Sequence, residues 1–139
     1  MTYATRDDLI SAFGQDAVDR LAIRPEDQDG EQTVARALSY ADGVINGRIS
    51  VRFTLPLPEV PAVLRDIACD LAMARMAGDA TSLTDDLKHR EKTARADLDR
   101  VADGKMNLGL PPVSAGQQAQ PISASSGGKV FTRDSLRRF

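Results

Sequence analysis

One histidine, His89, one cysteine, Cys69, and the acidic run Glu26, Asp27, Asp29 and Glu31 are the residues from which this chain could build a chemical site. Histidine titrates near neutrality, and a cysteine nucleophile needs such a base to take its proton. Here His89 lies in a charged helical stretch with no H-E-x-x-H around it, and Cys69 lies among Ile67, Ala68 and Leu71. The neighbours therefore place His89 toward solvent and Cys69 in a core, where free cysteine is commonly found. A single cysteine also excludes an intrachain disulfide and a C-x-x-C metal site.

The acidic run invites a calcium reading. With Gly30 at the sixth position of an EF-hand loop, Pro25 falls at the first ligand and Arg36 at the twelfth, where a bidentate carboxylate is required. The motif fails at both ends and leaves only a weak cation site at Asp27, Asp29 and Glu31. Near the other end, G-G-K invites comparison with a phosphate-binding loop, but Ser123 stands where the first glycine belongs and Val130 where Ser or Thr belongs. No cofactor and no catalytic residue is expected, and an enzyme is the least supported class.

The elements that would position these residues are helices. Thr5 followed by Asp8 has the form of an N-cap with an acidic partner, and Leu9, Ile10 and Phe13 give an apolar side before Gly14. A short second turn or helix should run from Gln15 to about Ile23, followed by the loop R-P-E-D-Q-D-G. Val34, Leu38, Ala41, Ile45 and Ile49 recur at spacings of three and four, predicting a helix from Glu31 to Asn46 capped by Gly47. In V-R-F-T-L-P-L-P-E-V-P the prolines exclude a central strand, so an extended connector is expected.

Pro61 suits the first turn of the next helix, whose face is Leu64, Ile67, Ala68, Leu71 and Ala74 or Arg75, ending near Ala77 at Gly78. A last helix starts at Ser82 or Thr84 with Asp85 and Asp86 in its first turn, carries the stripe Leu83, Leu87, Ala94, Leu98 and Val101, and ends at Asp103 before Gly104. K-M-N-L-G-L, residues 105–110, reads as a short strand or an extended exit. The fold expected is all-α: a small bundle of four or five helices with an extended connector and a flexible C-terminal arm.

Composition agrees with one modest core. The 139 residues are 42% apolar but 4% aromatic, with no Trp, so packing must rest on Leu, Ile, Val, Ala and Met. The N-terminal residues lack the basic and apolar regions of a secretion signal, and no apolar run approaches membrane-spanning length, which reads as a soluble chain made in a reducing cytosol.

Composition changes after Leu110. P-P-V-S-A-G-Q-Q-A-Q-P-I-S-A-S-S-G-G fills residues 111–128, and K-V-F-T-R-D-S-L-R-R-F closes the sequence. A spacer rich in Pro, Ser, Gly and Gln buries too little apolar surface to offset its ordering entropy. Three segments follow: a helical domain over 1–110, a flexible linker over 111–128 and an anchor peptide over 129–139. Residues 1–110 hold 14 basic and 19 acidic side chains and residues 111–139 hold four and one, so the body is −5 and the tail +3. An acidic body is a poor match for nucleic acid phosphates.

Within the anchor, cations are interleaved with apolar residues, which favours a protein surface over DNA. Lys129, Val130, Phe131, Thr132 and Arg133 alternate as a strand does and would add to a partner's sheet edge. Phe131 and Phe139 would fill apolar pockets with Leu136 beside them, while Arg133, Arg137 and Arg138 would meet carboxylates. As a coil the 18-residue spacer would span roughly 20–25 Å, and drawn out it could reach ~60 Å.

Several strings in one order resemble the Mu-like gp36 group of phage proteins. They are M-T-Y-A-T-R-D-D-L-I-S-A-F-G, E-D-Q-D-G-E before a helix, R-F-T-L-P-L-P-E-V-P leading into L-R-D-I-A-C-D-L-A, D-G-K-M-N-L-G-L, and the closing V-F-T-R-D-S-L-R-R-F. The resemblance covers nearly the whole chain. It implies a non-enzymatic virion protein at the head-tail junction: an adaptor forming a ring, expected to be dodecameric, beneath the portal protein and joining it to neighbouring neck or tail-side proteins. DNA would pass through the lumen without specific binding. The alternative is a small DNA-binding or DNA-packaging accessory protein, which would show salt-dependent DNA affinity. A helix-turn-helix across G-D-A-T-S would support it, but the second helix is long and slightly acidic, unlike a recognition helix.

Overall fold

Thr5 begins the first helix through a reciprocal cap: its hydroxyl accepts the Asp8 N–H at 3.3 Å and the Asp8 carboxylate accepts the Thr5 N–H at 2.8 Å. The structure, a computed structural model, describes residues 1–113. They form α1 (Arg6–Phe13), α2 (Gln15–Ala22), α3 (Glu31–Ile49), α4 (Ala62–Asp79) and α5 (Asp85–Ala102), with no strand among the described residues. The fold is the all-α bundle expected. Gly14, at φ +90°, ends α1 and caps α2, so these helices turn about one residue that can adopt this conformation without strain.

α3 outruns its expected end. Gly47 lies inside the helix, which continues to Ile49. Ile49 is fully buried; burying such a side chain stabilises by about 1.5–3 kcal/mol, more than the ~1 kcal/mol that a helical glycine costs. α4 likewise passes through Gly78 to Asp79, and Pro61 is its N-cap residue instead of lying in the first turn.

α4 is also not one-sided. Besides the expected Leu64, Ile67, Ala68, Leu71 and Ala74, it buries Cys69, Ala72, Met73, Met76 and Ala77, while Arg75 is exposed. The other four helices all pack against it, so it is the central helix of the bundle. α5 starts at Thr84, whose hydroxyl accepts the Leu87 N–H, and buries Leu87, Ala94, Leu98 and Val101. Tyr40 ties the long helices together: the Arg95 guanidinium of α5 donates to its hydroxyl at 2.7 Å, and the Arg75 guanidinium of α4 lies 4.7 Å from its ring centre.

The two irregular stretches are parts of the core. The connector between α3 and α4 is a series of turns and bends that buries Phe53 and Leu57. Residues 105–110 make no strand but bury Leu108 and Leu110. Beyond the expected boundary at Leu110, the Val113 N–H donates to the Arg52 carbonyl at 2.9 Å, so the chain leaves the body beside the start of that connector.

Candidate functional site

His89 is exposed on α5, and Cys69 is buried within α4. Burial first, then the nearby carboxylates of Asp8, Asp66 and Asp70, push the Cys69 thiol up to about 12, far from thiolate chemistry at neutral pH. The acidic loop closes the fold. The Asp27 carboxylate accepts the Thr33 N–H at 2.7 Å in the first turn of α3, and that backbone bond holds Asp27 below the usual carboxylate range. Arg6 reaches the Asp29 carbonyl and lies 4.0 Å from Glu31. Asp27, Asp29 and Glu31 are thus not brought together: among the described residues no three His, Cys, Asp or Glu side chains could share a metal ion.

The helix pair α4 and α5 does not present a recognition helix. α4 is the buried centre, and four of the five Lys and Arg side chains of α5 pair with carboxylates among the described residues, Lys92 being the exception: Lys88 with Asp85, Arg90 with Asp70 and Asp86, Arg95 with Glu91, Arg100 with Asp97. Phosphate binding would require those cations to leave their partners.

Cavities open on the surface of the described residues. A cleft of about 280 Å³ between α1 and α4 is lined by Asp8, Ser11, Ala12, Arg65, Asp66 and Cys69. Its cap residue Asp8 is held below the ordinary carboxylate range, first by the Thr5 N–H, and Arg65 stands 3.9 Å away. Further along α4, burial raises Asp70 above that range against the opposing pull of Arg90. A second cavity of about 300 Å³ lies at the exit of the chain and is lined by Arg52, Phe53, Gly104, Met106, Asn107, Leu110 and Pro112. Next in sequence to its lining residues Arg52 and Pro112 are two exposed apolar side chains, Val51 at 72% and Val113 at 38%.

The anchor residues Lys129, Val130, Phe131, Thr132, Arg133, Leu136, Arg137, Arg138 and Phe139 lie outside the described residues, as does most of the spacer. Sequence reasoning missed Asp66 and Arg65 because they look like ordinary solvated positions of an amphipathic helix. Only the crossing of α1 over α4 brings Asp8 beside Arg65. A trace of Arg52's role does exist in the sequence: Gly104, predicted as a helix terminator, is also the residue over which Arg52 lies.

The described residues form a small α-helical body whose charged groups largely take part in caps and ion pairs. The sequence comparison defines the class: the family model described as Bacteriophage Mu, Gp36 matches residues 3–126, nearly the whole chain, and the chain belongs to that phage protein family. Among its relatives is the Mu-like prophage FluMu protein gp36 of Haemophilus influenzae, 30% identical over 139 residues, covering 99% of this chain and 97% of the relative. Gene product J of Escherichia phage Mu is 30% identical over 138 residues, with 96% of each chain covered. The 99% coverage carries the first of these alignments past Gly128 and into the closing segment.

Proposed function

We propose that this chain is a structural, non-enzymatic virion protein: a head-tail connector that assembles as a ring under the portal protein and joins the capsid to the neck or tail. Membership of a phage protein family supports the phage setting. The observation that carries the connector reading is the split in charge and character along one chain. An acidic helical body of −5 is followed by a spacer and then by a +3 segment holding Val130, Phe131, Leu136 and Phe139. Such a segment gains by docking, and the spacer gives it the reach to do so on an adjoining subunit.

In this reading Lys129, Val130, Phe131, Thr132, Arg133, Leu136, Arg137, Arg138 and Phe139 form the anchor, with the portal and neighbouring neck proteins as partners in a ring of twelve copies, the number the family resemblance implies. Many weak anchors around a ring add to a strong joint. An acidic body lining a lumen would release DNA, because it offers no dense cationic face to displace counterions. Co-assembly with purified portal protein tests the reading. The full chain should attach and a chain ending at Gly128 should not, while both keep the same helical circular dichroism.

A further inference from the structure

We propose that the cleft between α1 and α4 is a docking site for residues 129–139 of a second copy of this chain, so that neighbouring subunits exchange arms. The inference rests on reading those residues as an anchor and names the surface that receives them.

The cleft has excess negative charge at one place. Asp8 and Asp66 line it, and Asp70 follows one turn later on α4 with Asp86 of α5 near it. Two guanidinium groups face these four carboxylates: Arg65 stands 3.9 Å from Asp8, and Arg90 lies 3.6 Å from Asp70 and 3.0 Å from Asp86. Asp66 is exposed and has no cation within ion-pair distance among the described residues. The crowding is registered at Cys69, whose thiol feels Asp8, Asp66 and Asp70 together.

Apolar surface adjoins the charge. Ala12 is exposed on the α1 wall, Phe13 is half-buried under the Arg90 guanidinium at 5.4 Å, and Val63 is 40% exposed one turn before Asp66. A volume of about 280 Å³ lies just under the range of roughly 300–1,000 Å³ usual for small-molecule pockets. It suits one or two side chains of a peptide lying across it.

Residues 129–139 match on both counts. They carry four cations against one carboxylate, interleaved with Val130, Phe131, Leu136 and Phe139. Arginine is the cation best suited to bridging carboxylates in fixed geometry, and three of the four cations are Arg133, Arg137 and Arg138. Passage to a second copy is within reach: the chain departs from Val113, held on Arg52, and the 15 spacer residues beyond it span from roughly 20 Å as a coil to ~50 Å extended.

Disulfide trapping between two full-length chains of different mass tests the exchange. One carries Asp66→Cys on the cleft and the other Ser135→Cys in the arm, both in a Cys69→Ala background because native Cys69 also lines the cleft. The expected product is a mixed dimer, its yield reduced at least ~tenfold when the arm also carries Arg137→Glu and Arg138→Glu, and reduced by 0.5 M salt, on the order of what screening does to exposed charges. No mixed dimer overturns the proposal. So does a chain carrying both cysteines that closes only on itself, or a yield indifferent to the arginines. If deleting residues 129–139 abolishes portal attachment while trapping fails, the cleft assignment alone falls. Trapping that succeeds while the deletion leaves attachment intact upholds the cleft and removes the portal anchor.

Discussion

The guanidinium of Arg52 lies across the backbone of Gly104, so close that a β-carbon there would stand 2.2 Å from Nη1. Gly104 also sits at φ +76°, and the carbonyl of Arg52 accepts the Val113 N–H. Arg52 therefore meets the end of α5 through its side chain and the departing chain through its carbonyl.

Gly104→Ala should lower unfolding free energy by about 1–2 kcal/mol, the cost of a left-handed conformation for a residue with a β-carbon. Urea denaturation measures it. In an Arg52→Ala background the loss should shrink, because the steric part disappears, but it should not vanish, because the backbone part remains.

Gly47 should behave in the opposite way. It lies in the interior of α3 with open space where a β-carbon would go. Gly47→Ala should therefore stabilise the chain by roughly 0.5–1 kcal/mol, read as a raised urea midpoint with an unchanged slope.

The response to acid should have two phases of opposite sign. Burial raises Asp42 and Asp70, so the folded chain takes up their protons before the unfolded chain does. Stability should rise as pH falls from their folded values toward the ordinary 3.8. Backbone N–H groups of Thr5 and Thr33 lower Asp8 and Asp27, and the stability these contribute above 3.8 is lost as pH falls through their folded values. Urea midpoints across pH should show the rise flattened by Asp70→Asn and the later fall flattened by Asp8→Asn.

Cys69 should be silent in the native state. With its thiol buried and pushed up to about 12, a thiol reagent at pH 8 should label it at least ~tenfold more slowly in the folded chain than in urea, because only the thiolate reacts. Equal rates would mean that α1 and α4 open readily.

The ends of α1 and α5 were legible because side chains adjacent in sequence make them: Thr5 with Asp8, Thr84 with Leu87, and the positive-φ glycines Gly14 and Gly104. Where a distant contact decided the outcome, sequence reasoning stopped short. Burial of Ile49 carries α3 through Gly47, and Ala72, Met73 and Ala77 turn α4 from a one-sided helix into the centre of the bundle. Alanine packs on any face, so its spacing does not tell a wet side from a dry one. The cleft was invisible for the same reason: Asp8 and Arg65 lie far apart in sequence and meet only when α1 folds onto α4. The arm stood out early because its composition contrasts with the body along the chain itself.

Attachment of the full chain and of a chain ending at Gly128 to purified portal protein, compared side by side by sedimentation, tests the connector reading most directly. The account predicts ring-shaped complexes with the full chain and none with the shortened one, both having the same helical content. Equal attachment of the two chains would contradict it.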